Sequence, residues 1–302
     1  MAQVKNIATR DSYGATLQQL AAEHPELVVL DADLSVSTCT AMFQKVAPER
    51  FFECGIAEAN MMGVSAGLAT MGLVPFVSSF AMFAAARAYE QILNSIAYPR
   101  LNVKIGASHQ CCEDFALMRS LPGMTVICPS DDIEARAAVR AAFEMNGPVY
   151  LRLGRLAVPV FHDPDHYHFE IGKGETVTEG EDIAIIATGL EVNEARIAAE
   201  HLAAQGIGAR VINIHTIKPL DEELILDAAR DCGKVITCEE HSVIGGLGEA
   251  VCSLLAEKYP VPVRRIGVQD CFACSAPAWD LIHAYGLDAA TIEKTAHEML
   301  GR

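Results

Sequence analysis

Apolar residues along this chain come in two rhythms. Short unbroken runs predict buried strands: ELVVLDADL (26–34), GLVPFVSS (72–79), LNVKIG (101–106), MTVICPS (124–130) and PVYLRL (148–153). Between them, EANMMGVSAGLAT, AMFAAARAYEQILNSIA, CEDFALMRSL and DDIEARAAVRAAFEM repeat apolar positions at helical spacing. PSDDIEA reads as a strand end, a cap and an acidic first helical turn. The same alternation returns later. DIAIIAT, ARVINI, KVITCEE and VPVRRIGV predict strands, and EVNEARIAAEHLAAQG, DEELILDAARD and GLGEAVCSLLAEKY predict helices. In HTIKPLD (215–221) a turn and an N-cap precede the second of these helices. Strands alternating with helices predict an α/β chain: two consecutive three-layer α/β/α domains with mainly parallel sheets. Between the halves, the Pro-, His- and acid-rich stretch around 159–180 predicts a linker, giving domains 1–158 and 181–302. His162, His166 and His168 lie in that stretch and are expected to be solvated rather than metal-bound.

Composition narrows this picture. Apolar residues make up 51% of 302, enough for well-filled cores. The formal charge of −16 disfavours nucleic acid as a partner but leaves room for a small anion held by a few local cations. Met61 to Ala86 carries no charge, yet Gly63, Gly67, Gly72 and Pro75 interrupt it. It therefore predicts a buried helix–strand–helix or a subunit interface, not a membrane span. The N-terminal MAQVKNIATRDSYG lacks the apolar core of a signal peptide, so a cytoplasmic setting with reduced thiols is the expectation for the ten cysteines. Cys271 and Cys274 form a lone CxxC without a second ligand pair, so no metal site is expected there.

One residue resists the burial pattern. In FFECGIAEANMMG (51–63), Glu58 is the only charge from Ile56 to Gly72. A carboxylate in such surroundings is costly unless it is paired or partly protonated. ECGIAEANMMGVSAGLATMGLVPFVSSFAMFAAARAYEQI closely resembles the pyrimidine-binding domain of transketolases. The resemblance continues through SHQCCEDFALMRSLPGMTVICPSD and GPVYLRLGR. IHTIKPLDEE and TCEEHSVIGGLGEAV resemble the family's C-terminal domain, so the likeness covers nearly the whole chain.

The resemblance implies a role for Glu58: a hydrogen bond to N1′ of the aminopyrimidine of thiamine diphosphate. Such a bond favours the imino tautomer, whose exocyclic nitrogen can take the proton from the thiazolium carbon. An apolar setting would raise this carboxyl's pKa and keep that proton available. The plainer reading is a buried acid satisfied by backbone or by Asn60. Phe83 is implied to stack on the pyrimidine and Phe80 to wall the pocket. Ala86 stands where the family often has a third aromatic. Asp33 is implied to line the cofactor site, with a helix cap as the competing reading. His109 is implied to polarise the sugar near the reacting carbon, and Arg155 to bind the sugar phosphate, with Arg152 able to share that task.

Two departures from the family matter. No GDG followed by a distant Asn is present, so the ligands for Mg2+ and the diphosphate are expected on a separate N-terminal subunit. The resemblance thus implies the C-terminal half of a split transketolase, assembled with that subunit as α2β2 and acting on phosphosugars. The family's Gly-rich loop of about a dozen residues, which follows the strand matching LNVKI, is also missing: Ile105 runs straight into Gly106. A mobile loop left out of the chain, with a break at that point, is the favoured expectation over a true deletion. The competing functions are a 2-oxoacid dehydrogenase beta subunit, a deoxyxylulose-phosphate-synthase-like enzyme, and a non-catalytic scaffold. Sulfonated and branched sugars stand beside pentose phosphates as possible substrates.

Overall fold

The computed structural model describes residues 5–109 and 111–302, and the chain divides into two compact units, 1–171 and 172–302. In the first unit a parallel sheet runs in the order β6-β7-β5-β4-β2-β3. Its strands are β2 (Leu27–Asp31), β3 (Phe51–Glu53), β4 (Val74–Phe80), β5 (Lys104–Ser108), β6 (Thr125–Ile127) and β7 (Val149–Leu153). A small antiparallel pair, β1 (Asn6–Ala8) and β8 (Ala157–Pro159), stands apart. That pair, β3 and the helix Thr9–Glu23 are too short or too weakly patterned to be expected from the sequence.

Strand alternation assigns the two faces. Val149, Leu151 and Leu153 join a core with Leu17, Leu20, Phe76, Val139 and Phe143, under the helices Thr9–Glu23 and Asp132–Glu144. Tyr150 and Arg152 point the other way, to Asp114 in the helix Asp114–Arg119. Asp131 caps the helix Asp132–Glu144 by accepting from the Glu134 N–H, as the acidic PSDD start anticipates. At Gly106 the sheet meets Tyr13, whose ring would collide with any Cβ there.

β5 is continuous through Ile105–Gly106. Both residues keep register with Val77 and Ser78 on one side and with Tyr150 and Leu151 on the other. In this chain the strand runs without interruption to Ser108 and is followed by His109. The expected linker differs. Its first part packs on the first unit, where the Phe161 and His162 N–H groups both donate to Asp131, and Phe169 and Ile171 lie against the core. His162 is thus not solvated: its ring lies 2.9 Å from Asp131, which holds that carboxyl below its usual range despite burial. The last part forms a strand, Glu175–Thr178, of the second unit.

The second unit has a five-stranded sheet. Val263–Val268, Val235–Ser242, Ile183–Ala187 and Ala209–Asn213 run parallel, and Glu175–Thr178 is the antiparallel edge. Ile186, Ile212, Ile225, Val251 and Leu255 fill one side under the helices Glu222–Cys232 and Leu247–Lys258. The helix Glu191–Ala204 packs with Ala289–Leu300. Among the described residues no helix is long and apolar enough to cross a membrane. All ten cysteines are free, with Cys271 and Cys274 exposed.

Candidate active site at the strand ends

In the first sheet the winding direction reverses between β2 and β4. From β2 the chain moves outward to β3; from β4 it moves the opposite way to β5. Side chains beyond the carboxyl ends of such strands border a crevice suited to ligands. Asp33 follows β2, Phe80 ends β4, His109 follows β5 and Arg155 follows β7.

Glu58 is the first residue of the helix Glu58–Thr70, where free backbone N–H groups favour an anion. Its side chain is 2% exposed. Its partner is neither backbone nor Asn60 but Arg87, whose Nη1 lies 3.0 Å from both carboxylate oxygens. The plainer expectation of a partner in the backbone or Asn60 is corrected here, and the pairing that a buried carboxylate requires is supplied from 29 residues along the chain. Arg87 ends a π-helical turn, Phe83–Arg87, that directly follows β4. Four residues apart on that turn, the Arg87 guanidinium lies over the Phe83 ring, 4.7 Å from its centre. The Phe83 ring stacks on Phe80 at 5.7 Å, and Phe80 contacts the His109 ring at 4.0 Å. Glu58, Arg87, Phe83, Phe80 and His109 therefore form one unbroken line of contacts.

His109 adopts a left-handed backbone (φ 70°), and its Nδ1 lies 2.9 Å from the Ser108 hydroxyl. Burial, then the charges of Arg10, Arg155 and Arg152, push its pKa down to about 4, so the ring is neutral near pH 7. Arg10 was not anticipated from the sequence. It donates to the Ser37 carbonyl, and its Nε is buried without a hydrogen bond. Arg155 is exposed, with no acid paired to it among the described residues. These two arginines make the surroundings of His109 attractive to an anion.

Arg152 does not belong to this set. It is 2% exposed and spent on Asp114 at 2.6 Å, on the Cys111 carbonyl and on the Phe115 face. The expectation that it shares substrate binding fails because strand alternation turns it into the sheet's helix-covered face. Asp33 is exposed with φ 62°, and its N–H donates to Glu53. It caps no helix by its side chain. Its neighbour Asp31 does the local anchoring, accepting from the Leu34 N–H, Thr38 and Thr40; burial nevertheless pushes its carboxyl up to about 6.

The Glu58–Phe83 pair also tests the fit of an aminopyrimidine. A flat, nitrogen-rich group, the Arg87 guanidinium, already lies over Phe83 and donates to Glu58, so the pair accepts a planar partner of that kind.

Residues 5–160 match the family description "Transketolase, pyrimidine binding domain", and residues 172–292 match "Transketolase, C-terminal domain". A Methanocaldococcus jannaschii protein described as a transketolase C-terminal section is 48% identical, over 96% of this chain and 95% of its own. A 6-deoxy-6-sulfo-D-fructose transketolase subunit from Clostridium sp. is 44% identical, over 97% of this chain and 94% of its own. The solved structure titled "Split gene transketolase, inactive beta4 tetramer" is 51% identical, with a TM-score of 0.93 over 98% of this chain and 99% of that one.

Proposed function

This chain belongs to the transketolase family, and we propose that it is the C-terminal subunit of a two-chain enzyme that moves a two-carbon ketol unit between phosphosugars. The observation that carries this reading is the line of contacts from Glu58 through Phe83 and Phe80 to His109 at the strand ends. Thiamine diphosphate is the cofactor the family implies; when bound it supplies the carbon nucleophile that carries the ketol unit. In this chain Glu58 would hold N1′ of its pyrimidine, Phe83 would stack on the ring and Phe80 would wall it. Asp33 borders the same crevice. His109, neutral and able to donate or accept one hydrogen bond, orients the sugar hydroxyl or carbonyl oxygen. Arg155 and Arg10 receive the substrate phosphate, a charge-assisted contact that fixes the sugar's reach toward His109.

The chain has no diphosphate-binding motif, so a separate N-terminal subunit supplies those contacts and the Mg2+ ligands, and the working enzyme is a complex holding two copies of each chain. The sulfofructose enzyme among the relatives widens the substrate class to sugars carrying another anionic group, which the two arginines would also accept.

The test is ketol transfer from xylulose 5-phosphate to ribose 5-phosphate, with thiamine diphosphate and Mg2+ present. This chain alone should be inactive and the mixture with the N-terminal subunit active. Glu58→Ala in the mixture should lose at least about 10²-fold in kcat. A cofactor-bound mixture that is inactive on these sugars but active on a sulfonated ketose would change the substrate and leave the reaction class standing.

A further inference from the structure

We propose that Arg87 is a built-in occupant of the pyrimidine subsite, a self-ligand that the cofactor ring must displace. The proposal rests on the reading of Glu58 and Phe83 given above.

Three observations carry it. Arg87 makes both contacts assigned to the incoming ring: its Nη1 bonds both oxygens of Glu58, and its guanidinium carbon lies over Phe83, 4.7 Å from the ring centre. A guanidinium and the imino tautomer of an aminopyrimidine share the relevant chemistry, a flat π-faced group that turns an N–H donor toward Glu58. The two cannot occupy the same ring face and the same carboxylate together.

The geometry also says which partner moves. Glu58 is 2% exposed and fixed at a helix start, whereas the Arg87 side chain is 52% exposed and can swing outward into water. The pair is held by one nitrogen shared between two oxygens, not by two parallel N–H bonds from different nitrogens, so it lacks the strongest arginine–carboxylate geometry. Arg87 thus satisfies a buried carboxylate while the subsite is empty and can be released when a ring arrives. A free Glu58 would otherwise be a buried charge without a partner. The arrangement keeps the isolated subunit stable at the cost of part of its cofactor affinity.

The experiment compares thiamine diphosphate binding by calorimetry in the assembled two-subunit complex, for the natural chain, Arg87→Met and Arg87→Ala. Removing the occupant should tighten apparent affinity about two- to fivefold, the range for a half-exposed ion pair. Guanidinium ion at low millimolar concentration should weaken binding to Arg87→Ala back toward the natural value while scarcely affecting the natural chain. Unchanged or weaker binding in both variants overturns the proposal and marks Arg87 as a residue that stays on Glu58 in the loaded site. Should the variants fail to assemble, the loaded natural complex decides by crystallography. Arg87 is expected to be off both Glu58 oxygens; finding it still 3.0 Å from each would overturn the proposal. Failure of the functional reading looks different: the natural complex would bind no thiamine diphosphate, or Glu58→Ala would bind it normally.

Discussion

His109 sits among cations, and that decides how it responds to pH. Its folded pKa of about 4 lies below the ordinary 6.5, so the unfolded chain binds the proton that the folded chain refuses. Stability from this residue is fully present above about 6.5 and is lost as pH falls toward 4. Urea unfolding at pH 7.5 and pH 5 should show a smaller drop for His109→Asn than for the natural chain. The same shift predicts activity without a His109 limb between about pH 5.5 and 8, with His109→Asn lowering kcat/KM by about 10²-fold at every pH in that span. A histidine-like limb near 6.5 would contradict the neutral-ring assignment.

Glu191 has the opposite sign. It is fully buried with both carboxyl oxygens unpartnered, and burial, followed by Glu240, Glu194, Asp288 and Glu239, raises its pKa well above 4.5. The folded chain holds its proton where the unfolded chain releases it, so stability falls as pH rises above the ordinary value. Glu191→Gln should therefore flatten that decline. A melting temperature several degrees above the natural chain's at pH 8, converging near pH 4, is the expected scan, given roughly 2–4 °C per kcal/mol for a chain this long.

At the level of elements, much was legible where pattern alone determines structure. The helix Asp132–Glu144 has a cap, an acidic first turn and one apolar stripe, and it forms where those signals put it. β7 was readable because its run VYLRL is apolar but for one residue, whereas β5, KIGAS, begins three residues later than the run LNVKIG suggests and buries Lys104 and Ser108. The stretch 81–97 shows the limit. Its spacing predicts an ordinary helix, but π-helical turns occupy Phe83–Arg87 and Ile92–Ala97. Periodicity cannot separate a 3.6-residue turn from one wound slightly wider.

The Arg87–Glu58 pair was hidden for a related reason, since its members are 29 residues apart. A signal did exist: Arg87 is the first charge after Glu58, and two opposite charges bounding an uncharged run are candidates for pairing. Arg152 and Arg155 show strand parity at work: residues three apart on and beyond a strand need not share a face, and these two do not. Gly106 gives an element-scale test. Its neighbour Tyr13 bonds Ser78 and packs on Phe76, so it cannot yield freely. Gly106→Ala should cost about 1–3 kcal/mol in chemical denaturation, and Tyr13→Phe in the same chain should not relieve it, because ring carbons also obstruct the site.

At the level of the whole molecule, the helix Glu58–Thr70 raises the question of what covers it. Met61, Met62, Ser65 and Ala66 face inward, while Asn60, Gly63, Val64, Gly67 and Met71 form an exposed, uncharged stripe. Gly63 and Gly67 each give up about 1 kcal/mol of helix propensity relative to alanine. A Cβ at either would meet nothing within 4 Å in this chain. Neither glycine is therefore needed by the fold of its own unit. They are accounted for if a second backbone approaches this face closely in the assembly, where side chains would hold the helices apart. Gly67→Glu separates the two demands. In the single chain it should leave folding intact or raise its stability slightly, read by circular dichroism and thermal melting. In sedimentation velocity it should shift the protein from an oligomer toward a single chain, and in the mixture with the N-terminal subunit it should abolish ketol transfer. A variant that still sediments as the natural protein does would place the interface elsewhere and leave the two glycines without a physical account.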